Sequence, residues 1–298
     1  MPKYKFSLIA CSRWEENDIV EWIEYHRSIG FDHVYIYSND DDPYTQLARL
    51  QPYLLRSNPF VTYMFWPIIG EQLPIYKHFL NAHKHDTEWA CFLDIDEFLV
   101  LKNCNDIGTF MREFEVGCDC VYFNWVNFGN NGKLVRDNKS ILLELIKRCA
   151  GVDVHTKTVF RTECVTAEGA EAGLSSTHFA FTHFWNNYPF EGFRIRNILG
   201  DDVSWYTDEF PAKAFRYLSD TAVRDKILDK GYVAHFQLKS EEDFMRRARR
   251  GGFVEQVVWQ NKYESGEHTT ILNALNQVED SYLRDYWQEY LKQAITPI

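Results

Sequence analysis

The sequence predicts an α/β fold in which helices flank a mixed, mostly parallel β-sheet. Over the first hundred residues, apolar runs typical of buried strands alternate with amphipathic stretches typical of helices. Glycine, aspartate and proline residues mark the boundaries between these stretches. The chain has 298 residues, of which 45 % are hydrophobic, and this is enough for one large core. No low-complexity linker divides the sequence, so we expect residues 1–298 to form a single domain.

The first half of the chain shows the alternation most clearly. Its predicted strands are 6–11, 33–37, 61–66 and 89–93. Its predicted helices are 18–28, 44–55 and 72–85. Gly30 stands where a helix commonly ends, and the polar run from Ser38 to Pro43 is a strong turn signal. Ligands bind such sheets beyond the carboxyl ends of the strands, so polar residues at those ends are candidates for a site.

The second half is less regular. Its predicted strands are 121–126, 157–161, 177–185 and 233–238. Ser240 is a good N-cap for a helix that has acidic residues in its first turn and runs through arginines to Gly251. A final amphipathic helix is predicted within 279–294.

Composition narrows the class of partner and the compartment. The net charge of −11 argues against nucleic acid as the main partner. Seven cysteines without a disulfide or zinc spacing indicate reduced thiols and a cytoplasmic protein. No apolar run approaches a membrane span, so we expect a soluble protein or one peripheral to a membrane. The basic stretch 246–250 is either a solvated helix face or a patch for an anionic ligand or lipid surface.

The most informative segment is 90–100, in which acidic residues are enclosed by apolar ones. Asp94 and Asp96 alternate along an extended chain, so their carboxylates can point to the same side. Two hard oxygen donors on one side suit Mn²⁺ or Mg²⁺ and leave coordination positions for water and phosphate. An acidic turn at a strand end is the plain alternative. A phosphotransferase of the haloacid dehalogenase type is disfavoured, because Phe98 stands where that family expects Thr or Val.

Several blocks, in order, resemble glycosyltransferase family 92 and related family-2-like enzymes. The segment 92–100 is almost the family's F-L-D-I-D-E-F-L-V, and 21–26 is similar to its E-W-x-x-Y-H. Further similar blocks are 30–40, 66–80, 123–129, 157–161 and 235–244. Arg13 and Trp14 depart from the lysine and asparagine of the family's first block, and 162–232 matches no block.

This resemblance implies a GT-A fold, a nucleoside-diphosphate sugar donor and Mn²⁺ or Mg²⁺ as cofactor. UDP is the nucleotide favoured on family grounds, and the acceptor is a glycan or glycoconjugate hydroxyl. Residues 1–100 are then the nucleotide-binding half, and 101–298 are the acceptor-binding half with C-terminal helices. Peripheral contact with a membrane is compatible with a lipid-linked acceptor.

The resemblance also implies roles for individual residues. Asp94 and Asp96 are expected to hold the metal and the diphosphate, with His235 as a third, distant ligand. Lys239 is expected to approach the diphosphate, and Asp40 to bind the base or ribose. Arg13 and Glu15 are expected to line the nucleobase pocket. Candidates for donor or acceptor contacts are Lys157, Arg161 and His178. Trp125, Phe128 and Trp185 either stack on a sugar or, as the default for any one of them, pack in the core.

The family implies inversion at the anomeric carbon, which needs a general base for the acceptor hydroxyl. Glu191 and Asp201 are the named candidates, and Asp202 and Asp208 are equally compatible with the sequence. Two other functions stay open at this stage. One is a metal-dependent phosphotransferase or phosphatase on an α/β scaffold, and the other is a non-catalytic module that binds sugar nucleotides.

Overall fold

A computed structural model describes residues 1–137, 140–175, 183–186, 188, 192–250 and 253–295. Its strands are β1 (Tyr4–Ser12), β2 (His33–Ser38), β3 (Val61–Phe65), β4 (Thr87–Phe92), β5 (Glu97–Leu101), β6 (Cys120–Asn127), β7 (Lys147–Arg148), β8 (Thr156–Arg161), β9 (Ile195–Asn197), β10 (Gly231–His235) and β11 (Val278–Glu279). Its helices are α1 (Ile19–Ser28), α2 (Pro43–Leu54), α3 (Gln72–Ala82), α4 (Ile107–Met111), α5 (Ile141–Glu144), α6 (Ala167–Ser175), α7 (Ala212–Ser219), α8 (Thr221–Lys230), α9 (Glu241–Arg250), α10 (Phe253–Glu264), α11 (Glu267–Leu275) and α12 (Tyr282–Ile295).

One large sheet runs through both halves of the chain in the order β3-β2-β1-β4-β8-β6-β10-β5, with β9 paired to β6. Five of its eight strand pairs are parallel: β1–β2, β1–β4, β2–β3, β6–β9 and β6–β10. β8 is antiparallel to both neighbours, and β5 is antiparallel to β10. The predicted α/β fold with a mixed, mostly parallel sheet is therefore confirmed. The predicted division at residue 100 into nucleotide and acceptor halves stays a prediction.

Local sequence explains how the second strand is connected. Gly30 has a φ of +91°, in the left-handed region where a side chain is strained, and this ends α1. After β2, the Asp42 carboxylate accepts hydrogen bonds from the amides of Tyr44 and Thr45 at the start of α2. Pro43 takes the first helical position, where its missing N–H is harmless. These local signals set where α1 ends before β2 and where α2 begins after it.

Helix α1 covers β5, the strand at one edge of the sheet. The Trp22 indole donates to the Glu97 carbonyl at 2.7 Å, and the Tyr25 hydroxyl donates to the Leu99 carbonyl at 2.9 Å. The amide of Leu99 donates to Nε2 of the fully buried His26 at 3.2 Å, and Nδ1 of that ring lies 2.8 Å from the Trp22 carbonyl. These side chains form hydrogen bonds with backbone groups on the outer edge of β5, which could otherwise pair with a strand of another molecule.

The buried imidazole of His26 makes stability depend on pH. Burial lowers the pKa of His26 to about 3, whereas an unfolded histidine titrates near pH ~6.5. Between these values the unfolded chain binds more protons, so the free energy of unfolding falls as pH falls, by up to about 1.4 kcal/mol per unit from this residue. Urea unfolding of the wild type and His26→Gln, from pH about 7 down to about 5, measures this slope.

The variant is less stable near neutrality because it loses the two hydrogen bonds of the ring. Its stability should nevertheless fall less steeply with acid, because Gln does not titrate. Other buried histidines contribute to both proteins alike, so the difference between the slopes isolates His26. Equal slopes for the two proteins would contradict the assignment.

The chain has a main core and a separate, smaller one. The main core fills both sides of the sheet and includes Trp22, Trp89 and Trp185. The small core joins Leu238 and Phe244 to Leu272, with Trp259 packed against it. It holds together α9, α10 and α11, the helices that follow β10. In the described chain, none of the helices combines the length and apolar character needed to cross a bilayer.

Most predicted elements agree with the structure within a few residues, and several predictions need correction. Helix α3 ends at Ala82 rather than 85, and a short 3-10 helix follows at Lys84–Asp86. The last predicted strand, 233–238, starts earlier and ends at His235, where the chain turns back over Asp96. Strand β5 was not predicted, nor were α4, α7, α8, α10 and α11. The predicted strand 177–185 falls mostly outside the described residues.

Candidate functional site

A tight acidic turn joins β4 to β5 at the carboxyl end of β4. It contains Asp94 and Asp96, and the Glu97 amide closes it by donating to the Asp94 carbonyl at 3.0 Å. The amide of Phe236 donates to the Asp96 carbonyl at 2.8 Å, which ties the turn to the end of β10. Two predicted carboxylates and the distant His235 are therefore brought together.

The Asp94 carboxylate is held in place by two donors. Gln72 donates to its Oδ1 at 2.9 Å, and the ammonium of Lys157 contacts its Oδ2 at 2.9 Å. Lys157 is almost fully buried and also lies 3.2 Å from the buried Glu97 carboxylate. Burial acts to raise the pKa of Asp94, but the positive charge of Lys157 outweighs it and lowers that pKa. Asp94 is thus an ionised, oriented carboxylate.

Asp96 lies between an imidazole and a guanidinium. Nε2 of His235 is 3.8 Å from its Oδ1, and Nη1 of Arg247 is 3.6 Å from its Oδ2. Burial acts to raise the pKa of Asp96, but positive groups around it, including Lys239 and Arg247, hold that pKa well below its usual range. Burial lowers the pKa of His235 to about 4, so this imidazole is neutral at neutral pH.

His235 has further neighbours at the end of the sheet. Its Nδ1 lies 3.1 Å from Oδ1 of Asn127, whose amide nitrogen donates to Asp153 at 2.9 Å. The ring of Trp125 lies against the imidazole at a centroid distance of 4.3 Å. The orientation of His235 is therefore set by side chains of β6 and of the loop that precedes β8.

A basic cluster, Lys239, Arg246, Arg247 and Arg250, covers this site from α9 and the residues before it. The ammonium of Lys239 is buried and contacts Asp18 at 2.5 Å and Glu15 at 3.3 Å. Arg250 forms an ion pair with the same Glu15, and Arg246 pairs with Glu16 and contacts the Trp14 carbonyl. The cations of the cluster are thus partnered by the protein's own carboxylates.

The acid and basic groups enclose a small cavity. Its volume is about 30 Å³, space for a water molecule or an ion. The residues that line it are Trp14, Glu15, Asp18, Asp96, Gln237, Lys239, Asp243, Arg246, Arg247 and Arg250.

Predicted residues at the end of β1 also join this region. Arg13 donates to the Asn39 carbonyl at 2.7 Å and pairs with Asp41 at 3.0 Å. The Asp40 carboxylate accepts a hydrogen bond from the Trp14 amide at 2.6 Å. Trp14 has a φ of +56°, a left-handed conformation that asparagine tolerates better than most residues. This conformation gives a physical reason for the asparagine in the family pattern at that position.

The structure does not bring every predicted residue to the carboxylates. Asp201 accepts from the Tyr217 hydroxyl at 3.1 Å and lines a different cavity, of about 780 Å³, with Lys102 and Lys230. That cavity lies at the other end of β5 and β10 from Asp96 and His235. Glu191 and His178 lie outside the described residues. Trp185 is packed in the core against Phe160, with the ring centroids 4.3 Å apart.

Some residues of the site had no assigned role from the sequence. Asp18 begins the predicted helix 18–28, and in the structure its carboxylate pairs with Arg136 and Lys239. Asn127 stands inside a family-like block, which was the available signal for it, while Asp153 carried none. Within the described residues, no group of three or more His, Cys, Asp and Glu side chains is arranged to hold a metal ion.

Comparisons with known proteins agree with the sequence blocks. The sequence model of glycosyltransferase family 92 matches residues 10–167. A family 92 protein of Ricinus communis is 32 % identical over 268 residues, covering 84 % of this chain and 42 % of the relative. A family 92 protein of Oryza sativa subsp. japonica is 31 % identical over 112 residues, covering 37 % of this chain and 19 % of the relative. The chain thus spans less than half the length of these relatives.

Solved structures give a weaker likeness. The crystal structure of S. aureus TarS 1-349 has a TM-score of 0.37 and 15 % sequence identity, and the match covers 54 % of this chain and 48 % of that one.

The family model covers more than half of the present chain, including the acidic turn and Lys157. The chain therefore belongs to glycosyltransferase family 92.

Proposed function

We propose that this chain is a glycosyltransferase that moves a sugar from a nucleoside-diphosphate donor to a hydroxyl of a glycan or glycoconjugate. We further propose that Mn²⁺ or Mg²⁺ binds between Asp96 and His235. The observation that carries the proposal is the pairing of a buried carboxylate and a neutral imidazole beneath a cluster of cations. Family membership supports the sugar-nucleotide donor, and UDP is proposed on the same ground.

The residues present fit a divalent cation. Nε2 of His235 and Oδ1 of Asp96 are 3.8 Å apart, longer than a hydrogen bond and close to the separation of two ligands on one ion. The cavity of about 30 Å³ adjoins Asp96 on the side of the basic cluster and has room for a water molecule or an ion. Both oxygens of Asp94 already accept hydrogen bonds, so Asp94 is better placed to orient the turn than to be the main ligand. Mn²⁺ and Mg²⁺ commonly take their remaining ligands from water and phosphate.

The reaction explains why cations surround the carboxylates. When the sugar leaves, negative charge grows on the diphosphate, and a bound divalent ion would neutralise it. Arg247 and Arg250 can then exchange their carboxylate partners, Asp96 and Glu15, for phosphate oxygens. Lys239 stays between Asp18 and Glu15 and adds positive charge behind the site.

Inversion at the anomeric carbon is part of the proposal, because it is what the family resemblance implies. It requires a base near the acceptor hydroxyl. We do not assign this role to Asp201, since its carboxylate faces the cavity at the far end of β10. Glu191 stays a prediction.

Nucleotide release and calorimetry test this function. The protein is expected to release UDP or another nucleoside diphosphate from one member of a panel of sugar nucleotides, in the presence of Mn²⁺ or Mg²⁺. Calorimetry should show that Mn²⁺ strengthens the binding of UDP, since each ligand supplies part of the other's site.

The alternatives give different results in the same assays. Release of inorganic phosphate from sugar phosphates or other phosphate monoesters, with no nucleoside diphosphate released from the sugar nucleotides, would indicate a phosphatase or phosphotransferase. Binding of a sugar nucleotide with neither hydrolysis nor transfer to any acceptor would indicate a non-catalytic module. Absence of nucleotide binding with metal present would contradict the proposal itself.

A further inference from the structure

We propose that Asp153 and Asn127 are positioning residues, which fix His235 in the tautomer protonated on Nδ1 and so present the Nε2 lone pair to a metal beside Asp96. The metal part of this inference rests on the proposed function. The tautomer part concerns the protein alone and can be measured without any ligand.

The first step is the direction of the hydrogen bonds at Asp153. Its Oδ1 accepts from the backbone amide of His155 at 2.9 Å and lies 2.8 Å from Nδ1 of the same residue. Its Oδ2 lies 2.9 Å from the side-chain amide of Asn127. Burial acts to raise the pKa of Asp153, but the hydrogen bonds from His155 outweigh it and lower that pKa. An ionised carboxylate only accepts, so the NH₂ group of Asn127 must be the end that faces Asp153.

The second step is the hydrogen bond between Asn127 and the imidazole of His235, whose direction follows from the orientation of the Asn127 amide. Asn127 is the last residue of β6 and lies opposite His235 in the register of β10. With its NH₂ group turned to Asp153, its carbonyl Oδ1 points to Nδ1 of His235 at 3.1 Å. A carbonyl oxygen cannot donate, so Nδ1 must carry the hydrogen. The acidic end of the chain of hydrogen bonds therefore determines which ring nitrogen is protonated.

The third step concerns the other ring nitrogen. In a neutral ring with its hydrogen on Nδ1, Nε2 is an acceptor, and it faces the Oδ1 of Asp96 at 3.8 Å. Two acceptors that face each other repel unless a cation lies between them. Trp125 packs against the ring and limits its rotation. Outer hydrogen bonds of this kind orient histidine ligands in metal sites, and their loss typically costs about 10- to 100-fold in metal affinity.

The substitution Asp153→Asn should reverse the hydrogen bonds. The new side chain keeps an oxygen for His155 but presents an NH₂ group to Asn127, whose own amide then has to turn over. Asn127 would donate to Nδ1, and His235 would carry its hydrogen on Nε2, where it can donate to Asp96. Nitrogen-15 NMR of the imidazole rings, without metal, should show Nδ1–H for His235 in the wild type and Nε2–H in the variant. The affinity for Mn²⁺, measured by calorimetry, should fall by about 10- to 100-fold.

The double variant Asp153→Asn with Asn127→Asp tests whether restoring the hydrogen-bond direction also restores the tautomer. It exchanges acid and amide, so position 127 again accepts from Nδ1 and position 153 donates to it. We expect the wild-type tautomer to return, together with most of the Mn²⁺ affinity. Asp285→Asn, an exposed acid-to-amide change on α12, serves as the control and should alter neither measurement. If the single variant does not fold, the double variant still tests the inference through its tautomer.

The outcomes separate the two proposals. An Nε2–H tautomer of His235 in the wild type would overturn the inference, and so would an Nδ1–H tautomer retained in folded Asp153→Asn. A double variant that fails to restore Nδ1–H would overturn it as well. If the tautomer switches as expected while the wild type binds no Mn²⁺, the positioning of His235 stands and the metal in the proposed function fails.

Discussion

Replacing Lys157 with methionine is expected to lower the free energy of unfolding by about 3 to 5 kcal/mol. The ammonium of Lys157 is 2.9 Å from Asp94 and 3.2 Å from Glu97, and the side chain of Glu97 is fully buried. Methionine fills a similar volume but takes from Asp94 and Glu97 the cation they share. Burial already raises the pKa of Glu97 well above its usual range, and without Lys157 this carboxyl group is buried with no ion-pair partner. Urea denaturation at neutral pH measures the loss.

Two further variants test the cause of this loss. Lys213→Met makes the same change at an exposed lysine paired with the exposed Asp208, and it should cost about 1 kcal/mol or less. Adding Glu97→Gln to Lys157→Met removes the carboxyl group that has lost its cation and should recover a large part of the stability. A loss below about 1 kcal/mol for Lys157→Met would show that the buried pair does not hold the turn as we infer.

The isosteric change Asp96→Asn is expected to reduce the rate of sugar transfer by about 100- to 1,000-fold. It removes the negative charge that faces His235 and Arg247, while the shape of the turn is kept. Without this charge, a divalent ion at the site loses its main protein ligand and the leaving diphosphate is less well neutralised. Steady-state release of UDP, with calorimetry of Mn²⁺ binding, measures both effects.

The neighbouring cations make a folding control necessary for this variant. Circular dichroism and urea unfolding should show a native fold for Asp96→Asn, because Lys239 and Arg250 keep their other carboxylate partners and Arg247 is partly exposed to solvent. Asp285→Asn should retain the wild-type rate. An Asp96→Asn protein that is folded and as active as the wild type would remove Asp96 from the proposed mechanism.

The strands of the first half could be predicted from sequence because their signals are local. β1 to β4 are continuous apolar runs, and Gly30 and Pro43 mark their connections. Strand β5 was missed because Glu97–Leu101 follows the acidic turn directly and reads as part of the same motif. It is a strand because β10 pairs with it and α1 covers its other edge, and neither neighbour is local in sequence.

The residues of the candidate site also divide into those with a signal in the sequence and those whose role depends on distant neighbours. Asp94, Asp96 and His235 could be chosen because ordered blocks resemble a family, and the structure places them together. Glu15 and Lys239 were also chosen, but the sequence could not show that each would be the other's ion-pair partner across more than two hundred residues. Asp153 could not be chosen at all, because its effect is exerted through the amide of another residue.

The position of β10 has a consequence for how the chain acquires its fold. β5 and β6 follow one another in sequence, but β10 lies between them in the sheet and starts roughly 130 residues after β5 ends. At about 5 to 20 residues per second, a ribosome needs on the order of 10 s to supply it, and the facing edges of β5 and β6 stay unpaired until then. Long-range pairing of this kind is slow and leaves edges open to aggregation. Insertion of β10 closes those edges and delivers His235 to Asp96, so completion of the sheet and maturation of the site are a single, late folding event.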